Sequence, residues 1–284
     1  MSQTQSDKNF HRLLLFASWI ATIIVALIFI FVAWEAWPAI ASGPLKFISD
    51  PAWDPSSQSY YLVPMIAGST AITLGAIVIA LPLGLISALF YELLAPSWIS
   101  KPYRSTIEVL AGIPSVIYGF WGLVSVVPLL YKLSPPGANV LAGSIVLGIM
   151  ILPTISLFIA NGIRSVPKHI FTSSHSLRLS KYTMILKIII PSIKGPIVSG
   201  TLIALGRAAG ETMAVLMVCG NIVKVPTTFF DPVRTLTSNI ALEMAYALDN
   251  HRSALFLSGL VLLLMIITLT ALSQLRFFKD PYES

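Results

Sequence analysis

Arg207 and Glu211 are the residues of this chain best placed to do chemistry, because they lie inside an otherwise apolar stretch. Residues 188–220 are interrupted by charge only at Lys194, Arg207 and Glu211. A charge within a membrane span costs roughly 2.5–3.5 kcal/mol on insertion scales, so it demands a partner or a task. The i, i+4 spacing places the two on one face of a continuous helix, within ion-pair reach. Gly206 and Gly210 stand beside them and form a small-xxx-small step that lets a neighbouring helix come close. The chemistry this suits is anion handling, with Arg207 as the positive element and Glu211 as its switchable partner. A structural ion pair that only locks the bundle is the other reading of the same residues.

The remaining charges are less telling. Glu108 precedes the segment 110–114 and either lines a pathway or sits at the interface, where an acid in a first helical turn favours the macrodipole. Arg234, in the connection 221–252, is a further pathway candidate. Lys194 can snorkel to the membrane surface, and Glu92, closing an apolar run, needs no role of its own. No G-x-x-x-x-G-K-[ST], H-E-x-x-H or G-x-S-x-G occurs. The four histidines lack metal-ligand spacing, and Cys219 is alone, so neither a catalytic residue nor a metal site is expected.

Composition supplies the setting. Of 284 residues, 56% are hydrophobic and 11% charged. A soluble domain carries about 25% charged residues, more than twice as many. A soluble globule and a disordered chain are both excluded, and the net charge of +6 is better read against a membrane than against nucleic acid. Six spans are expected: residues 13–34, 66–90, 109–131, a fourth from Val140 to about 163, 188–220 and 253–275. The first is too long for a signal-peptide core and reads as an uncleaved anchor. Lys8 and Arg12, Lys101 and Arg104, the run Arg164, Lys168, Arg178, Lys181 and Lys187, and Arg276 and Lys279 fall on alternate connections. The opposite connections hold only Lys46, Lys132, Lys224, Arg234 and Arg252. The positive-inside rule then puts both termini in the cytoplasm of a multi-pass plasma-membrane protein. The outer connection 221–252 is apolar enough to pack back against the bundle.

The connection 164–187 is too long for a turn. Val166, Ile170 and Leu177 recur at roughly helical spacing, Pro167 can open a helix, and Pro191 follows where the chain re-enters the membrane. A short amphipathic helix on this side suits docking to a partner groove, and its basic residues equally suit anionic lipid.

At these residues the chain resembles the permeases of ABC importers, specifically the PstC-type phosphate permeases. The resemblance rests on Leu110-Ala-Gly-Ile-Pro-Ser-Val-Ile-Tyr-Gly119, Gly206-Arg-Ala-Ala-Gly-Glu-Thr-Met-Ala-Val-Leu-Met217 and Asp231-Pro-Val-Arg-Thr-Leu-Thr237. Ile240-Ala-Leu-Glu243 and His251-Arg-Ser-Ala-Leu-Phe256 fit the same pattern, and the likeness covers residues 60–275. It implies an all-α, six-helix permease subunit of a bacterial plasma-membrane importer (the inner membrane in a Gram-negative cell) that moves inorganic phosphate. The implied partners are a PstA-type permease, a dimer of PstB-type ATPases and a periplasmic phosphate-binding protein. ATP and magnesium would be used by the ATPase, with no cofactor in this chain. The implied functional pair is Arg207 and Glu211. The implied coupling segment carries Pro167, Thr172, Ser173, Ser174, Arg178 and Pro191. The family's coupling motif has Glu-Ala-Ala and, four residues on, Gly; here those positions read Thr172-Ser173-Ser174 and Arg178. If that position is left-handed, Arg178 costs roughly 1–2 kcal/mol relative to glycine.

The chain is therefore expected to divide into an N-terminal tail, anchor and outer loop at 1–62, a permease core at 63–276 containing the coupling segment, and a tail at 277–284. A permease for sulfate or molybdate and a stand-alone secondary anion transporter are the rival functions. The latter should show inverted repeats, and none is evident.

Overall fold

The computed structural model describes residues 5–43, 46–50 and 52–277, so most of the tail expected at 277–284 lies outside the described residues. Among the described residues the elements are helices apart from one short hairpin. Helix α1 (Gln5–Ala41) leads through a helical turn (Lys46–Ser49) to strands β1 (Trp53–Asp54) and β2 (Ser59–Tyr60). These strands pair antiparallel, Trp53 opposite Tyr60. Helix α2 (Val63–Leu89) continues as a π-helical turn (Phe90–Leu94). Then come α3 (Ser97–Gly112), α4 (Ser115–Trp121) with its π-helical and α-helical continuation to Tyr131, and α5 (Val140–Ser165). The second half contains α6 (Lys168–Ser176), α7 (Lys181–Met184), α8 (Lys194–Ala209), α9 (Met213–Val218), α10 (Leu236–Glu243) and α11 (Asp249–Phe277).

Helix α5 is the axis of the bundle. The Asn139 side chain accepts the Ala142 amide at 2.9 Å and starts it where the apolar run begins. From Val140 to Ile163 it buries Val146, Leu147, Met150, Ile151, Ile155 and Ile159. Helix α2 lies along it at the short distance small residues allow. A Cβ on Gly148 would stand 3.2 Å from the Ile79 Cβ. Helix α1 stays peripheral and meets α11 chiefly near one end, where Phe31 abuts Phe256 edge-on at 5.7 Å and Arg252 approaches Glu35 at 3.4 Å.

Among the described residues, four helices are long and apolar enough to cross a membrane (His11–Ala41, Val63–Leu94, Val140–Ser165 and Asp249–Ala271), and two bent pairs bring the number to six. The bends correct two of the expected spans. The third is not continuous over 109–131. Ser97–Gly112 meets Ser115–Tyr131 at 96°. The Ile113–Pro114 step is extended, and Pro114 has no amide to continue the ladder. Lys101, Arg104 and Glu108 therefore belong to a separate helix, α3, instead of a loop and a span start. The fifth, expected over 188–220, is in pieces. Lys181–Ser192 meets Lys194–Ala209 at 66° around Ile193, just after Pro191, and a second break at 210–212 separates α8 from α9. Lys194 begins α8 and is exposed, as a snorkelling lysine should be.

The apolar connection 221–252 does pack back. Thr235 and Ser238 form a capping box that starts α10, and Leu236, Thr237, Ser238 and Asn239 are buried. The Leu236 amide donates to Ser69 Oγ of α2 at 2.9 Å. Phe229 and Phe230 remain outside this packing.

Candidate functional site

Arg207 and Glu211 occupy the break between α8 and α9. Helix α8 ends at Ala209; the Gly210 amide still donates to Gly206 O at 3.1 Å, the Glu211 amide shifts to Ala208 O at 3.2 Å, and Thr212 stands at the cap position of the next helix, which starts at Met213. The i, i+4 argument needs an unbroken helix, and here there is none. No ion pair joins Arg207 and Glu211 among the described residues. The half-buried guanidinium instead donates from Nη1 to Thr154 Oγ1 of α5 at 3.3 Å. Glu211 Oε1 accepts the Ala214 amide at 3.1 Å, satisfying one free donor of α9. The backbone carbonyl of Glu211 accepts Thr237 Oγ1 at 2.8 Å, which ties the break to α10.

The small-residue step also behaves differently from expectation. A Cβ on Gly206 would meet nothing within 4 Å, so this chain does not place a helix against that face. The close approach lies elsewhere: a Cβ on Gly119 of α4 would stand 2.8 Å from the Ala214 Cα of α9. Behind Glu211 the packing between α2, α5, α8 and α9 leaves a seam too tight for a water molecule, lined by Ser69, Thr73, Thr235, Thr237 and apolar groups. Of these groups the Arg207 guanidinium, which has no carboxylate partner among the described residues, is the donor an oxyanion would use; the Glu211 carboxylate only accepts, and the Thr237 hydroxyl already donates to Glu211 O.

The other two pathway candidates are engaged elsewhere. Glu108 is about half exposed and accepts Arg104 Nε at 2.7 Å on its own helix. Arg234 donates to Asn221 O and Asn239 Oδ1, both at 3.1 Å, and from Nη1 to Glu243 Oε1 at 2.7 Å. Glu243 is the buried centre of that knot, accepting Trp53 Nε1 and meeting His251 Nε2, both at 2.8 Å on Oε2. The hairpin, α10 and α11 are joined there. The sequence offered no signal for this beyond Glu243 and His251 themselves. Thr154 and Thr237 were equally hidden, since hydroxyls in an apolar run leave hydropathy almost unchanged.

The segment expected to couple is helical where predicted. Helix α6 follows Pro167, whose carbonyl accepts the Ile170 amide at 3.0 Å. Its inner face is Ile170, Phe171 and Ser174, while Thr172, Ser173 and Leu177 face outward, so Leu177 is not on the packed stripe with Val166 and Ile170. Arg178 has φ 52°, the left-handed conformation. The Leu179 amide donates back to Ser174 O at 3.2 Å. Such a bond closes a helix around a left-handed residue. The turn a glycine would favour is thus kept without the glycine.

Comparison with known proteins agrees with this architecture. The sequence pattern of the family described as "Binding-protein-dependent transport system inner membrane component" matches residues 80–279. A Bacillus subtilis protein named as a probable ABC transporter permease, YqgH, is 38% identical over 78% of this chain and 74% of its own. The phosphate transport system permease protein PstC of Xylella fastidiosa is 31% identical over 95% and 90%. The structure of an amino acid ABC transporter superposes with a TM-score of 0.55 at 19% identity, covering 81% of this chain and 100% of that one, a likeness of fold. A bundle with bent spans, matched in sequence over most of its length, has one reading: the chain belongs to the family of membrane components of binding-protein-dependent transport systems.

Proposed function

We propose that this chain is one permease subunit of an ATP-driven importer of inorganic phosphate. The observation that carries the reading is the half-buried guanidinium of Arg207, which has no ion pair among the described residues, meets only the Thr154 hydroxyl and stands at a break in a membrane helix. A charge so placed is stabilised when an anion arrives. The name of the PstC relatives supplies the anion.

The chain does no covalent chemistry. Phosphate delivered by a binding protein enters beside the α8–α9 break, exchanges water for the Arg207 fork and nearby hydroxyls, and leaves when the bundle rocks. Glu211, held by the Ala214 amide, repels a dianion that lingers and so limits trapping. A paired PstA-type permease completes the pathway. ATP and magnesium act in a PstB-type ATPase dimer docked on α6, with α6 and both termini on the cytoplasmic side.

The test is uptake of labelled phosphate in cells lacking other phosphate importers, with this chain expressed beside its permease, ATPase and binding-protein partners. Uptake that unlabelled phosphate suppresses, and sulfate and molybdate do not, is expected. Suppression by sulfate or molybdate in preference to phosphate would replace the substrate, and uptake without the ATPase would replace the class.

A further inference from the structure

At the Arg164 end of the bundle, one carboxylate joins three helices. Glu92 lies in the π-helical turn that ends α2, with its side chain only 11% exposed. Arg164 Nε donates to its Oε2 at 3.0 Å, and Arg164 Nη2 lies 2.7 Å from the buried Oε1 as an ion pair that is not aligned as a hydrogen bond. Arg104 of α3 approaches the same carboxylate at 3.9 Å and is held at 2.7 Å by Glu108. A charge-assisted hydrogen bond to a carboxylate this buried is stronger than a neutral one and ties the two helices at that point. Around it, Ser100 Oγ donates to Tyr91 O at 2.6 Å, and Tyr103 Oη stands 3.1 Å from Ser87 Oγ, so α3 is seamed to α2.

Arg164 is in the last turn of α5, immediately before Pro167 and α6. Helix α3 in turn leads across the 96° bend, where Tyr118 Oη of α4 donates to Leu110 O at 2.8 Å. Helix α4 then presses Gly119 against Ala214, whose amide holds Glu211. These contacts are contiguous from the root of α6 to the transport site, as energetic coupling between distant sites requires when it travels through packing.

The geometry points to Glu92 as a positioning residue for transport: its carboxylate binds the root of α6 to α3, so a displacement of α6 moves α3 and, through the bend, the α4–α9 contact beside Glu211. The inference rests on the reading that α6 docks on an ATPase. Glu108 then has a role too, holding Arg104 toward Glu92.

The experiment uses the complete transporter in liposomes, measuring phosphate moved per ATP hydrolysed together with the distance between spin labels at Lys101 and Lys168, with and without ATP. In the unaltered protein the two labels move together and their separation is constant. Glu92→Gln should assemble, let the separation change with ATP, and lower phosphate moved per ATP by about fivefold or more. Arg164→Lys, which keeps the charge and loses the Nε hydrogen bond, should lower it by about twofold. If Glu92→Gln fails to assemble, Arg164→Lys alone decides. A normal ratio with a constant separation, in whichever variant decides, overturns the clamp while leaving the transporter reading intact. ATP hydrolysis by a wild-type complex that carries no phosphate overturns the substrate instead, and the label distances in the variants still judge the clamp. Failure of any ATPase to bind removes both.

Discussion

Arg207 and Glu211 are four residues apart and do not pair: the guanidinium reaches α5 at Thr154, 3.3 Å away, and the carboxylate caps α9 through the Ala214 amide at 3.1 Å. Neutralising both therefore does not restore a balanced helix, because there is no pair to remove. Arg207→Gln should abolish phosphate uptake with normal subunit levels, and Arg207→Gln with Glu211→Gln should remain inactive. Glu211→Gln keeps an oxygen for the Ala214 amide and should assemble normally, whereas Glu211→Leu loses that bond and should destabilise the α9 start by about 1 kcal/mol. Labelled-phosphate uptake and immunoblots of the membrane fraction measure these outcomes, and wild-type uptake by the double variant would leave Arg207 no role in handling the anion.

Thr154 orients the guanidinium. Thr154→Val keeps the shape and removes the acceptor, a change worth about 0.5–1.5 kcal/mol for an ordinary hydrogen bond. Half-maximal uptake should shift to several-fold higher phosphate, and Thr154→Ser should restore it. Equal concentration dependence in all three proteins would show that Arg207 orients itself without this contact.

The left-handed Arg178 is strained by its side chain. Arg178→Gly should relieve roughly 1–2 kcal/mol. That corresponds to slowing of amide hydrogen exchange in α6 by a factor of about five or more, provided exchange proceeds through local opening. Faster exchange in the glycine variant would mean that the Arg178 side chain holds the turn by contacts stronger than the strain.

Asp231 organises the loop 224–231. The amide and hydroxyl of Thr227, the Thr228 amide and Lys224 hold its carboxyl below the usual carboxylate range. A folded-state value below the unfolded one stabilises the loop at every pH above the unfolded value, about 3.9, and that contribution is lost as pH falls through the folded value. Proteolytic protection of residues 224–231 should thus be flat from neutral pH down to about pH 5 and decline only in strong acid, when assayed with an acid-stable protease. Asp231→Asn should be nicked more readily from neutral pH down to about pH 5, with the difference closing in strong acid. A protection profile that breaks near neutrality would assign the loop's stability to another group.

The orientation is tested with single cysteines. Cys219 is buried and Ser238, in the connection 221–252, is buried as well, so Ser173 and the exposed Leu248 are the useful sites in a Cys219→Ser protein. An impermeant thiol reagent applied to intact cells should label Leu248→Cys and leave Ser173→Cys unlabelled until the cells are opened. The reverse pattern would invert the bundle.

Residue types and local order alone determined the membrane class and the helix after Pro167, while Arg178 stood out only through the family resemblance. The first two follow from properties carried by a few neighbouring residues, apolar length and a missing amide; the positive φ at Arg178 and the Asn139 cap came from the structure. Hydropathy sums along the chain and has the same value for a straight helix as for one bent through 96°, so the interruptions at Pro114, Ile193 and Gly210 were invisible to it. The spacing of Arg207 and Glu211 presupposed the continuity that Gly210 ends, and the same glycine read equally well as a packing residue. The partners were beyond any local rule. Thr154 is 53 residues from Arg207, Arg164 is 72 from Glu92 and Trp53 is 190 from Glu243. Only the packing of the bundle brings such distant groups within 3.3 Å. A buried polar group takes the partner its surroundings provide, wherever that partner lies in the chain.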